Sequence, residues 1–175
     1  RRSVRKFTEE AVSEEDISVS SDIGEMTLSL GETKLIYSNG DITINGNIKY
    51  TGPYNSLSDV PKLFIYARNI YINCNVTQID AVLIAEDVIN TCADENGNTP
   101  SINESMRSNQ LIINGTIITN KLLANRTYGA ATGANSIIPA VFINYDSTLY
   151  LWGQNNAESL NVGKLETVYQ HELAP

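Results

Sequence analysis

The chain has 175 residues, enough for one domain with a sizeable core and short for two. Ile, Val, Thr, Tyr, Phe and Trp supply 57 of them and Asn another 20, a composition of strands and turns that argues against a helical bundle. Twelve Lys and Arg against 20 Asp and Glu leave a net charge of −8, which gives no general attraction for nucleic acid, because that binding depends on neutralising phosphates.

Residues 1–33 read as a charged leader that serves as a linker or a cap. Arg1, Arg2, Arg5 and Lys6 make a basic tip, and eight acids without a base follow between Phe7 and Glu32. The alternation of Ile17 with Val19, and of Met26, Leu28 and Leu30, predicts short edge strands over the end of a core. Opening on Arg1 rather than Met, the chain reads as a processed product or an excised piece. No stretch of it approaches the roughly 20 apolar residues of a membrane helix.

Residues 34–175 form a domain built on a repeat. Leu35-Ile-Tyr-Ser-Asn-Gly-Asp-Ile-Thr-Ile-Asn45 lies without a gap on Leu63-Phe-Ile-Tyr-Ala-Arg-Asn-Ile-Tyr-Ile-Asn73, an offset of 28 residues. Val82-Leu-Ile-Ala-Glu-Asp-Val-Ile-Asn90 is a copy two residues shorter, and Leu111-Ile-Ile-Asn-Gly-Thr-Ile117 repeats Ile42 to Ile48. Val141-Phe-Ile-Asn-Tyr-Asp-Ser-Thr-Leu-Tyr-Leu-Trp152 is a degenerate fifth copy. Ile precedes Asn six times, where composition alone gives about two. Each unit holds two short alternating strands and too few apolar side chains to enclose a core, so the units must stack.

Unequal spacing between copies fits a coil whose turns accept insertions. The expected fold is all-β: a single-stack parallel β-helix, or β-solenoid, of about five or six irregular rungs and about 25–30 Å long. Ile42, Ile44, Ile70, Ile72, Val88, Leu111, Ile113, Leu149 and Leu151 are expected to point inward. An antiparallel sandwich is the alternative, because Asn-Gly at 39–40, 45–46 and 114–115 is also a hairpin signal. In the stacked fold Asn45, Asn73, Asn90 and Asn114 would share one corner as a ladder of hydrogen-bonded amides. Cys74 and Cys92, 18 positions apart with no CxxC or Cys/His grouping, argue against zinc and leave two readings open, an exported disulfide or free thiols.

Catalytic chemistry is sparse. The single histidine, His171, stands four residues from the end of the sequence and offers no triad. Asp80, Glu86, Asp87 and Asp146 are the carboxylates that a polysaccharide-cutting solenoid would pair across rungs, with Arg68 or Lys62 as the central basic groups of a lyase. A charged corner in water is the plainer role for Glu86 and Asp87. The polar interruption at 93–109 carries Asp94, Glu95, Asn96 and Asn98, oxygen ligands for calcium without the spacing of an EF-hand. Together with 122–138 it is a loop suited to binding on a rigid scaffold. Tyr66 and Tyr71 flank a polar corner, where outward rings would contact a ligand, although strand propensity accounts for the tyrosines equally well.

Ser38-Asn-Gly-Asp-Ile-Thr-Ile-Asn-Gly-Asn-Ile48, Asn75-Val-Thr-Gln-Ile-Asp80, Ile89-Asn-Thr-Cys92, Asn109-Gln-Leu-Ile-Ile-Asn-Gly115 and the tail Tyr169-Gln-His-Glu-Leu-Ala-Pro175 resemble exported right-handed β-solenoid proteins of candidate-phyla bacteria such as the saccharibacteria. The repeat is more loosely similar to the bactofilin-like polymerising β-helices. In the first group an Arg stands where His171 is and a further Cys follows Cys92, so the resemblance leaves the pairing of Cys92 open. It implies a secreted or cell-surface module at the end of a larger polypeptide and supplies no catalytic residue and no cofactor. The expectation is therefore a non-enzymatic structural or adhesive scaffold, extracellular or at the cell surface. Its partner would be an envelope component, protein or carbohydrate. A polysaccharide-active enzyme and a filament subunit that self-assembles through its solenoid ends are the alternatives. The expected state in isolation is a monomer capped by residues 1–33 and 164–175.

Overall fold

An extended strand alternates its side chains between two faces, so a short strand with one apolar row is stable only where further rows cover it. The computed structural model describes residues 17–19, 21–101, 105–127 and 139–145, and it solves this problem with parallel pairing throughout. The strands are β1 (Ile17–Val19), β2 (Asp22–Ile23), β3 (Met26–Leu28), β4 (Thr33–Tyr37), β5 (Asp41–Ile44), β6 (Ile48–Tyr50), β7 (Lys62–Ile72), β8 (Gln78–Asn90), β9 (Leu111–Leu123) and β10 (Val141–Asn144). All ten belong to one hydrogen-bonded sheet, and every pairing among the described residues is parallel. The antiparallel sandwich is thereby excluded: the Asn-Gly pairs turn the chain between strands or lie within β9 and close no hairpin.

The pairings form three ladders. The first runs through β1, β4, the start of β7, the middle of β8 and the middle of β9, with Ile36 on Ile65, Ile65 on Leu83 and Leu83 on Ile117. The second runs through β2, β5 and the ends of β7, β8 and β9, with Ile42 on Ile70, Ile70 on Ile89 and Ile89 on Leu122. The third runs through β3, β6, the starts of β8 and β9, and β10, with Ile48 on Ile79, Ile79 on Ile113 and Ile113 on Ile143. The chain visits first, second and third ladder in that order at each of five levels. Ile36, Ile42, Ile44, Ile48, Ile65, Ile70, Ile72, Ile79, Leu83, Ile89, Leu111 and Ile113 are buried in a single cluster.

Several sequence expectations shift by one position. Val88 is half-buried, and its neighbour Ile89 fills the interior instead. Ile42 does lie on Ile70 at an offset of 28, yet Leu35 lies on Phe64 rather than Leu63. A one-residue slip exchanges the two faces of a strand, and this register sets buried Ile36 on buried Ile65. The slip is absorbed where β4 leads to β5, since residues 38–40 there face only Ala67 and Arg68 of β7. Ile113 joins the column of Ile48, not that of Ile44. Within the segment 1–33, the described residues supply β1, β2 and β3, the short edge strands, which pair with β4, β5 and β6 as a first level. Leu30 is exposed between strands. Residues 1–16, 164–175, Asp146, Leu149, Leu151, Trp152 and His171 lie outside the described residues.

Junctions between ladders differ in length. From first to second they are short at every level: 38–40, Arg68, Glu86 with Asp87, and Asn120. From third to first the junction is 29–32 and then 51–61, after which β8 and β9 run straight through at Ala81 and Gly115. Gly115 is required there, for a Cβ on it would stand 1.9 Å from the carbonyl oxygen of Ala81. From second to third the junction grows from 45–47 to 73–77, then to 91–110 and 124–140.

Truncating Ile70 to Ala is expected to cost about 2–5 kcal/mol in denaturant unfolding, as for other fully buried aliphatic residues. Gly115→Ala should also be strongly destabilising. Gly24→Ala, where an added Cβ meets nothing within 4 Å, should leave the unfolding midpoint nearly unchanged.

Candidate functional site

Where a strand leaves its ladder its peptide N–H and carbonyl groups lose their partners, and those that are buried must find others elsewhere. The second-to-third junction meets this demand with side chains. Asn47 accepts from the backbone N–H of Thr77 (2.8 Å) and Gln78 (3.1 Å) and from the Thr77 hydroxyl (3.3 Å). Cys74 and Cys92, both buried, form a disulfide that ties this junction at one level to the next. Of the two readings open in sequence, the bridge is the one formed.

Beside the bridge lies Arg126, only 6% exposed. Its Nε donates to Thr91 O (2.7 Å), one terminal nitrogen to Cys74 O (2.9 Å) and Asn109 O (3.2 Å), and the other to Asn73 O (3.0 Å). Burial pushes its pKa down to about 10, which leaves it charged at neutral pH. Five N–H donors in a rigid plane suit such a cradle of carbonyls, which a lysine ammonium would not span.

Arg107 performs a related task nearby. Its Nε donates to Asn125 O (2.8 Å), one terminal nitrogen donates to Pro100 O (3.0 Å), and its own carbonyl accepts from Thr127 N (2.8 Å). The Asn125 amide donates to Asn90 Oδ1 (3.0 Å) and Thr99 Oγ1 (2.9 Å). The stem at 125–127 therefore holds the 91–110 insertion at its start, its middle and its end.

Neither arginine was singled out in sequence, where Arg68 and Lys62 stood as the central basic residues. Arg126 reaches acceptors up to 53 positions away, and no local pattern announces that. Arg68 makes an ion pair with Asp41 at 3.2 Å, and Lys62 is buried with its ammonium on Val60 O, its pKa lowered by desolvation.

The four asparagines expected on one corner fall on several. Asn73 donates to Asn45 Oδ1 (3.4 Å) and Asn45 to Asp22 (3.2 Å), a short ladder at the second-to-third junction. Asn114 belongs to the third ladder, donating to Asp80 (2.7 Å) and accepting from Asn144 (3.3 Å). Asn90 pairs across from Tyr71 and serves the Thr99 and Asn125 network. One repeated dipeptide thus does three jobs, because the offset between copies changes with every level.

The carboxylates do not converge. Asp80 is buried on the third ladder and accepts from Tyr50 N, the Gln78 amide and the Asn114 amide. Glu86 and Asp87 are exposed at the first-to-second junction, Glu86 taking the hydroxyl of Tyr66 (2.5 Å). That bond is the main reason the Tyr66 pKa is raised.

Asp94 spends its oxygens inside its own turn, accepting from Asn96 N (2.9 Å), Asn98 N (2.8 Å) and the Asn98 amide (3.3 Å). The bond from Asn98 N is the leading cause of its lowered pKa. N–H groups aimed at this carboxylate oppose a cation in the same place, and among the described residues no group of three or more His, Cys, Asp or Glu could hold a metal ion. Asn96 and Glu95 are exposed on this turn.

Tyr66 and Tyr71 are spent on packing. Tyr66 stacks on Tyr37 with ring centroids 5.4 Å apart and planes 13° from parallel, so each covers a face of the other that a sugar would otherwise use. Tyr71 is half-buried beneath Gly97, where an added Cβ would come within 2.7 Å of its ring, and its hydroxyl donates to Asp41 (3.4 Å). Burial is the first cause of its raised pKa. What the described residues assemble is the 91–110 insertion braced by the stem at 125–127 rather than an open cluster of reactive groups.

No known protein family, curated protein or solved structure matches the chain.

In native buffer neither cysteine is expected to react with a thiol reagent, and denaturation with reduction should release both for alkylation, read by mass. Replacing Cys74 and Cys92 together by Ala should lower stability by about 3 kcal/mol, the chain-entropy value for a loop of this length.

Proposed function

We propose that this chain is a parallel β-helix, a β-solenoid of irregular rungs, that works without catalysis as a rigid secreted or cell-surface scaffold. It presents loops to an envelope component, protein or carbohydrate. One observation carries this reading: the two long insertions, 91–110 and 124–140, leave the same junction on consecutive levels and are braced against each other. A stack of aliphatic columns resists bending, and binding residues concentrate on loops that such a scaffold holds in place. Five levels at one strand spacing each give a body about 20–25 Å tall, with both insertions leaving it at the same corner.

The buried disulfide supports an oxidising compartment, as does the likeness of residues 38–48, 75–92 and 109–115 to exported β-solenoids. No helix among the described residues is long and apolar enough to cross a membrane. Catalysis would need acids sharing a groove, whereas Asp80 and Asp87 sit on different parts of the coil, one enclosed by donors and the other exposed.

The test replaces residues 94–104 by a short Gly-Ser turn and, separately, 129–138 by another. Each variant is expected to keep the strand signature in circular dichroism and a cooperative melt, and to lose most of its adhesion to envelope material from the source cells. Undiminished adhesion with both segments replaced, or turnover in a panel of polysaccharides, would sink the reading.

A further inference from the structure

We propose that Arg126 is a positioning residue that fixes the base of the 91–110 insertion, its guanidinium closing that loop from within the stem at 125–127. The proposal rests on the loop-presenting reading above and adds to it a cause for the loop's shape.

The geometry is specific. Thr91 and Asn109 stand near the two ends of the 91–110 insertion, and their carbonyls accept from one guanidinium at 2.7 and 3.2 Å. Its other two acceptors, Asn73 and Cys74, belong to the junction one level away, so loop base and scaffold share one cation. Asn109 also donates its amide to Cys74 O at 3.3 Å. Higher in the loop, Asn125 on Thr99 and Arg107 on Asn125 O and Pro100 O repeat the link with different atoms. The stem at 125–127 is in this way part of the loop's foundation. Without Arg126 four carbonyls lose a charged donor, two of them at the ends of the loop and two in the junction under it.

The cradle also recognises a chemical class. Four carbonyls converging on a planar set of N–H groups fit a guanidinium ion, which is larger and flatter than ammonium. An arginine deletion should therefore be repaired by the free ion.

Hydrogen exchange followed by mass spectrometry on the intact chain tests this without a partner. Arg126→Ala should speed exchange at least tenfold in fragments covering 91–101 and 105–110, with 63–72 and 79–85 unchanged. Guanidinium chloride at about 10 mM, far below denaturing strength, should restore slow exchange, and ammonium chloride at equal concentration should not. Unchanged loop exchange, an increase spread evenly over loop and core, or equal repair by both salts would overturn the proposal. Should Arg126→Ala fail to fold, Arg126→Lys serves instead: it keeps the charge but not the plane, and loop exchange as slow as in the unaltered chain would count against the assignment. Since no partner is involved, failure here leaves the scaffold reading to the loop-replacement experiment.

Discussion

In a stack whose strands all run the same way, the backbone must leave one ladder and enter the next at every corner, and at each exit peptide groups go unpaired. Water serves these groups at a surface, but not where an insertion folds back over them. This chain meets the need with planar side chains of high donor or acceptor capacity. Asn47 gathers three donors, Asp80 accepts from the backbone and two amides, and Arg126 supplies four carbonyls. Burying a charge is costly when it stands alone, and a guanidinium surrounded by carbonyls is among the few arrangements that offset the loss of water. The loops, the disulfide and the lower junction all meet at that group.

The same economy explains the acids and aromatic rings. In a chain of net charge −8, carboxylates that accept hydrogen bonds inside turns and ladders are structural elements rather than free charges. Tyr37 and Tyr66 stack because strands in register place identical side chains one above the other, and the outer face of a parallel sheet inherits this as readily as the inner one.

Much of the fold could be read from the residues. The copies at 35–45 and 63–73 are neighbours in the sheet, and Ile42, Ile44, Ile70, Ile72, Leu111 and Ile113 are interior as their alternation requires. Alternation fixes which face a residue takes within a strand. It does not fix how many residues a corner consumes, and the slip of Leu35 onto Phe64, the choice of Ile89 over Val88 and the scattering of the asparagines all arise at corners. The candidate site was legible as two polar interruptions and two cysteines. Its organising groups, Arg107 and Arg126, were not, because their partners come from segments that only the completed sheet brings together.

The straight passage of β8 through Ala81 and of β9 through Gly115 has a consequence for how such a chain can diverge. A residue gained there would turn every later side chain of the strand inside out, while the opposite corner already absorbs runs of very different length without disturbing the columns on either side. Beyond β7, length variation is thus confined to the second-to-third corner, whereas before it the third-to-first corner also takes insertions, 29–32 and 51–61. Lineages sharing this architecture should hold their length at these two passages and vary it at the long corners, so new specificities can accumulate on an unchanging frame.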